Sequence, residues 1–151
     1  LRPQLLDRFG LSVEVRTPRE LAQRIEIVRR ADAFARDPEG FAAQWAEAEA
    51  GLAARVAAAR RRVARVTLPD LVLEQAARLC LALGSDGLRG ELTLVRAARA
   101  LAALEGKRAV GTAHIARAAP MALRHRLRRD PLDETGTSAR VERAMAEVGL
   151  A

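Results

Sequence analysis

Two arginines sit in settings that suit chemistry better than solvation. Arg8 lies in LLDRFG, between an apolar anchor and Gly10, with Asp7 and Phe9 beside it. Arg89 lies in DGLRGEL, where a helix is expected to begin, flanked by Gly87 and Gly90. Backbone held that closely suggests a guanidinium that has to be placed. Its planar fork of five donors suits the clamping of a phosphoryl group. The competing reading is a structural ion pair, Asp7 with Arg8 or Glu91 with Arg89, and on the residues alone it is slightly favoured.

Other chemistries find less support. There is no GxxxxGK[ST], and GSDGLRG at 84–90 lacks the lysine and the preceding strand of a phosphate-binding loop. No Ser/His/Asp set or paired carboxylates stand out. His114 and His125 are eleven residues apart, about three turns along one expected helix, so they cannot share a metal. Cys80, in RLCLAL, reads as a core residue. As the single cysteine it excludes a disulfide framework and a cysteine-based zinc site, and no metal site is expected. Two basic clusters, Arg60-Arg61-Arg62 with Arg65 and Arg124, Arg126, Arg128, Arg129 around His125, could meet phosphates through charge alone. With almost no aromatics to stack on bases and no helix-turn-helix spacing, a solvated face is favoured and nucleic acid is not the expected partner.

The elements that must position these residues are helical. Of 151 residues 33 are alanine and 3% are aromatic, poor material for a sheet sandwich and good material for close-packed helices. The net charge is +7, from 25 arginines and the single lysine Lys107 against 19 acids. That balance permits a polyanionic partner without requiring one. No apolar run is long enough to span a membrane and no signal peptide is visible, so a soluble cytoplasmic protein is expected. The chain opens on Leu1 rather than Met and reads as a segment of a longer protein.

Along the chain, residues 3–9 suggest a short helix or turn. LSVEVR at 11–16 alternates apolar and polar residues as a half-buried strand does, its partners expected elsewhere. Thr17-Pro18-Arg19-Glu20 predicts a capping box opening a helix to Arg36, and Asp37-Pro38 a second start, with a helix to about Arg65. These two form an expected long hairpin, 18–36 against 38–65. Further helices are expected at about 69–83, stopped by Gly84, at 88–105, stopped by Gly106, and at 111–128, kinked by Pro120. A polar linker at 130–137 and a short terminal helix at 138–148 complete the reading.

LRPQLLDRFGLSVEV at 1–15, DGLRGELTLVRAARALAALEG at 86–106 and LRHRLRRDPLDETG at 123–136, in this order and at similar spacing, resemble the magnesium chelatase ATPase subunit, its I subunit or the I-like part of its D subunit. These are AAA+ proteins that drive metal insertion into porphyrins or related corrin precursors. The resemblance runs nearly end to end. It implies an all-α lid domain with a long helical hairpin at 17–129, preceded at 1–16 by the end of the ATPase core with its one strand, and followed at 130–151 by a polar linker and terminal helix. It makes Arg8 the arginine finger that reaches the neighbouring subunit's ATP, and Arg89 the sensor-2 arginine. It implies a hexameric ring, ATP and Mg²⁺ held by an upstream part, and further chelatase subunits as partners. Lacking Walker A, Walker B and sensor 1, these 151 residues alone are expected not to hydrolyse ATP. Weaker expectations are that Glu91 orients Arg89 and that Arg2 pairs with an acidic group at the subunit boundary. The alternatives are a lid from a chaperone of the related MoxR type and a basic helical module for nucleic acid.

Overall fold

Alanine decides how these helices pack. The computed structural model describes residues 8–85, 87–127 and 136–150. Its helices are α1 (Leu21–Arg36), α2 (Pro38–Arg62), α3 (Asp70–Ala82), α4 (Arg89–Leu104), α5 (Thr112–Leu123) and α6 (Gly136–Glu147), with single 3₁₀ turns at Val63–Arg65 and Arg124–Arg126. The chain divides into two compact units, Glu14–Ala57 and Leu1–Val13 with Ala58–Ala151.

In the larger unit, α4 and α5 make the most extensive helix pair. Leu94, Ala98 and Ala102 recur every fourth residue on α4 and are fully buried, as are Ile115, Ala118, Ala119 and Ala122 on α5. Small side chains at that spacing form a smooth stripe, which lets two helix backbones approach closely while Leu94 and Ile115 fill the remaining space. Val72, Ala76, Leu79 and Cys80 of α3 and Val141 and Ala144 of α6 close the core. Each large aliphatic removed from water this way contributes about 1.5–3 kcal/mol.

Both expected glycine stops of this unit close as predicted. At the end of α3, Gly84 takes φ +63°, its N–H donates to Leu81 O and the Ser85 N–H donates to Cys80 O at 3.0 Å. Gly106 repeats the arrangement after α4, with bonds to Ala103 O and, from Lys107, to Ala102 O. Only a residue without Cβ takes this left-handed conformation cheaply, and it satisfies carbonyls the helix would otherwise orphan. The terminal helix expected at 138–148 is α6, and it packs on α5 within this unit.

In the smaller unit, Asp37 caps α2 through its Oδ1, which accepts the Gly40 N–H at 2.9 Å. Phe34 of α1 meets Phe41 of α2 edge-on at 5.8 Å, and the Arg30 guanidinium lies 4.8 Å from the Trp45 ring centroid. Aromatic and cation–π contacts thus join α1 and α2 beside the turn between them, at residues 30–45 rather than along the whole of the expected hairpin.

Three expectations are corrected. Residues 11–16 form no strand, and no strand occurs among the described residues, where the single β-bridge pairs Thr67 with Ala109. Val13 and Val15 are 66% and 90% exposed, so the alternation buries no face, and a strand exists only where a second strand accepts its ladder. The capping box at Thr17 does not form either. The helix begins at Leu21 with Glu20 in extended conformation, and the Glu20 carboxylate accepts from the Gln23 side chain at 2.6 Å instead of reaching back. Finally, the helix expected to run to Arg128 ends at Leu123 and passes into the 3₁₀ turn. The expected turn at 3–9 and linker at 130–137 fall largely outside the described residues.

Candidate functional site

Arg89 is the first residue of α4 and is exposed. What holds the start of α4 in place is the residue after it. Gly90 is buried, and a Cβ built on it would stand 2.9 Å from Ser85 Oγ, 3.4 Å from Leu123 Cδ2 and 3.5 Å from Cys80 Sγ. The first turn of α4 therefore lies directly against α3 and α5. The glycines around Arg89 serve different needs, Gly90 close packing and Gly87, with φ +72°, a left-handed turn.

Glu91 is partly buried, and its Oε2 is buried without a hydrogen-bond partner among the described residues. Its charge acts on Cys80. Burial first, then Glu91, pushes the Cys80 thiol up to about 12, while Arg126 pulls the other way. Cys80 is thus the core residue expected, protonated and inert at neutral pH.

Arg8 is exposed on the segment that opens the larger unit. The backbone around it is tied to the far end of the chain. The Phe9 carbonyl accepts from His125 Nε2 at 2.9 Å and from Arg126 Nη2 at 2.9 Å. The Ser12 N–H donates to Met121 O at 2.9 Å. Because a carbonyl only accepts, the bond to Phe9 requires a proton on His125 Nε2. Arg126 also donates through Nε to Ala122 O near the end of α5, 3.0 Å, and through Nη2 to Thr93 Oγ1, 3.3 Å. Arg124 folds back to Pro120 O at 2.9 Å. The cluster read as a solvated face is therefore, at 124–126, a partly buried set of side chains that satisfies helix-end carbonyls and holds the Phe9 carbonyl. A stretch of basic residues in sequence carries no sign of whether their donors turn outward or back, so sequence reasoning missed it.

The other histidine is structural. His114 is 8% exposed, accepts the Gly111 N–H on Nδ1 at 2.8 Å and meets Glu105 Oε2 with Nε2 at 3.1 Å. Accepting on Nδ1 puts its proton on Nε2, which donates to the carboxylate. Arg117 also pairs with Glu105. The Arg117 hydrogen bond chiefly, and the His114 bond after burial's opposing effect, hold the Glu105 carboxyl below the usual carboxylate range. This fastens the end of α4 to the start of α5. Among the described residues no three His, Cys, Asp or Glu side chains stand together as a metal site, and no helix is long and apolar enough to cross a membrane.

Comparison with known proteins adds what the geometry lacks. Residues 73–145 match the AAA lid domain family. The chain is 60% identical over 146 residues to the magnesium-chelatase 38 kDa subunit of Acidiphilium rubrum, covering 97% of this chain and 42% of that protein. It is 57% identical over 148 residues to the 38 kDa subunit of Cereibacter sphaeroides, covering 98% and 44%. The chain belongs to the magnesium-chelatase ATPase-subunit family. Its likeness extends to the more distant magnesium-chelatase subunit ChlI of Synechocystis, 39% identical over 98% of this chain and 42% of the relative. The chain thus spans less than half the length of these relatives.

The lid-family match takes in α4 and α5 and most of α3 and α6. Arg8 and Arg89 both belong to their compact unit, Arg8 one residue from the clasped Phe9 and Arg89 one turn before Thr93. Arg2 and Asp7 lie outside the described residues, so the pairing expected for Arg2 and the ion pair of Arg8 with Asp7 do too.

Proposed function

We propose that this chain is the lid-bearing part of an AAA+ motor that couples ATP hydrolysis to metal insertion into a tetrapyrrole. Arg8 acts as arginine finger on the neighbouring subunit's nucleotide, and Arg89 as sensor 2, responding to nucleotide from the lid. The observation that carries this reading is the match to magnesium-chelatase subunits over 97–98% of the chain. In the proposed division, residues 1–16 close the ATPase core, 17–129 form the lid with its hairpin, and 130–151 are a linker and a terminal helix that the lid-family match still reaches. The protein assembles into a ring with other copies of itself and works with further chelatase subunits in the cytoplasm.

The chemistry asked of the chain's own residues is electrostatic. ATP with Mg²⁺, held by the upstream part, supplies the phosphoryl group and the free energy. Negative charge spreads over the transferred group in the transition state, and a positioned guanidinium stabilises it more than the ground state. Both arginines are exposed, as groups that must meet a ligand need to be. Arg89 stands at the start of a helix whose first turn Gly90 packs against α3 and α5, so its backbone is held at an exposed position.

The test is ATP turnover by the full-length parent, wild type against Arg8→Ala, with ATP binding measured alongside. An arginine finger contributes roughly 10³–10⁵ in rate, so turnover should fall by about a thousandfold while binding persists. Unchanged turnover would overturn the finger assignment and leave Arg8 a structural residue.

A further inference from the structure

The proposed function uses Arg8 and Arg89 but not the side chains that join their segments. One guanidinium does so. Arg126 donates to the Phe9 carbonyl of the segment carrying Arg8, to the Thr93 hydroxyl one turn after Arg89 on α4, and to Ala122 O near the end of α5. His125 takes the second lone pair of the same Phe9 carbonyl, and three residues on, the Ser12 N–H is fixed to Met121 O. Residues 9 and 126 are 117 apart in sequence, so the contact belongs to the tertiary fold.

We propose that Arg126, assisted by His125, is a positioning clasp that makes the finger-bearing segment and the sensor-2 helix move as one body. The clasp thereby ties the state of a subunit's lid to the reach of Arg8 into the neighbouring subunit's site. The inference rests on the finger reading of Arg8. Three features carry it. The Phe9 carbonyl is immediately C-terminal to Arg8, so pinning it removes backbone freedom at the base of the finger. Both of its lone pairs are engaged, which fixes its direction as well as its position. And the guanidinium reaches three separate segments with a rigid fork, which a lysine, a single point of charge on a flexible stem, cannot reproduce. Misplacing a reacting or stabilising group by about 1 Å can cost on the order of 10² in rate, so a clasp with no contact to substrate still controls turnover.

The experiment uses the full-length protein with Arg126→Lys, which keeps the charge, and Thr93→Val, which keeps the shape and removes only the hydroxyl. Folding is checked by circular dichroism. Arg126→Lys should lower kcat for ATP by tenfold or more with ATP affinity within about twofold of wild type. It should also speed amide exchange at Ser12 about tenfold, a readout independent of activity. Thr93→Val should shift kcat in the same direction by about threefold. The decisive comparison is the pair. Because the clasp acts through the finger, Arg8→Ala with Arg126→Lys should be no slower than Arg8→Ala alone.

A folded Arg126→Lys with unchanged kcat and unchanged Ser12 exchange overturns the clasp. So does a double variant whose losses multiply, since Arg126 then acts independently of Arg8. If Arg126→Lys does not fold, Thr93→Val decides, and wild-type kcat in that variant overturns the proposal. If Arg8→Ala itself turns over normally, the finger reading fails and the proposed coupling falls with it. Ser12 exchange in Arg126→Lys then still tells whether the clasp holds the segment, which separates the two failures.

Discussion

Substituting Gly90 tests the packing that places Arg89. A Cβ at this position meets Ser85 Oγ at 2.9 Å, a distance real Cβ atoms do not hold, with Leu123 Cδ2 at 3.4 Å and Cys80 Sγ at 3.5 Å behind it. In Gly90→Ala the serine hydroxyl can rotate away, and the gain in helix propensity offsets part of the crowding. In Gly90→Val two further methyl groups extend toward Leu123 and Cys80, which are 1% exposed and have nowhere to go. Overpacking of a closed core costs about 1–3 kcal/mol, so Gly90→Val should lose about 2–3 kcal/mol. For a unit of this size that lowers the melting midpoint by roughly 9–13 °C.

Gly51 supplies the contrast. It lies inside α2 with nothing within 4 Å of an added Cβ. Gly51→Ala should therefore stabilise its helix by about 0.5–1 kcal/mol, the cost of glycine in a helix interior. Thermal and urea denaturation followed by circular dichroism at 222 nm read both variants on the same chain. A Gly90→Val midpoint equal to wild type, or a Gly51→Ala that loses helicity, would refute the reasoning from contact distance.

Two further expectations concern titration. The folded-state carboxyl of Glu105 is held low by Arg117 and His114, so its contribution is complete above the unfolded value near 4.3 and is lost as pH falls through the folded value. The stability gap between wild type and Glu105→Gln should thus be full at pH 7 and shrink in acid, and equal gaps at pH 7 and pH 3 would contradict it. Cys80, pushed from 9.0 to about 12, carries about a thousandfold less thiolate at neutral pH than an ordinary cysteine. Thiol labelling should be slow in native protein and rise to the free-thiol rate in denaturant; fast native labelling would place Cys80 outside the core.

Much of the helical architecture was legible because its signals are local. Asp37-Pro38 starts α2 and Gly84 and Gly106 end α3 and α4 because capping is settled within one turn of chain. Thr17-Pro18-Arg19-Glu20 carries the same kind of signal and fails. That stretch is exposed, and Glu20 finds a nearer donor in Gln23. Glycine-flanked settings and the family resemblance single out Arg8 and Arg89, and the structure places both at the surface. Arg126 was not legible, because a run of arginines reads alike whether it faces water or grips a backbone.

By itself the sequence determined that this protein is helical, where most of its helices stop, that Cys80 is buried and which family it belongs to. These follow from alanine content, local capping and motif order, all properties of neighbouring residues. Only the tertiary structure decided that 11–16 make no strand, that Gly90 is a contact point between three helices and that Arg126 closes on Phe9. Each depends on what stands opposite a residue in space. A strand needs a partner ladder, a glycine a neighbour that leaves no room for a Cβ, and a guanidinium an acceptor brought to it from the other end of the chain.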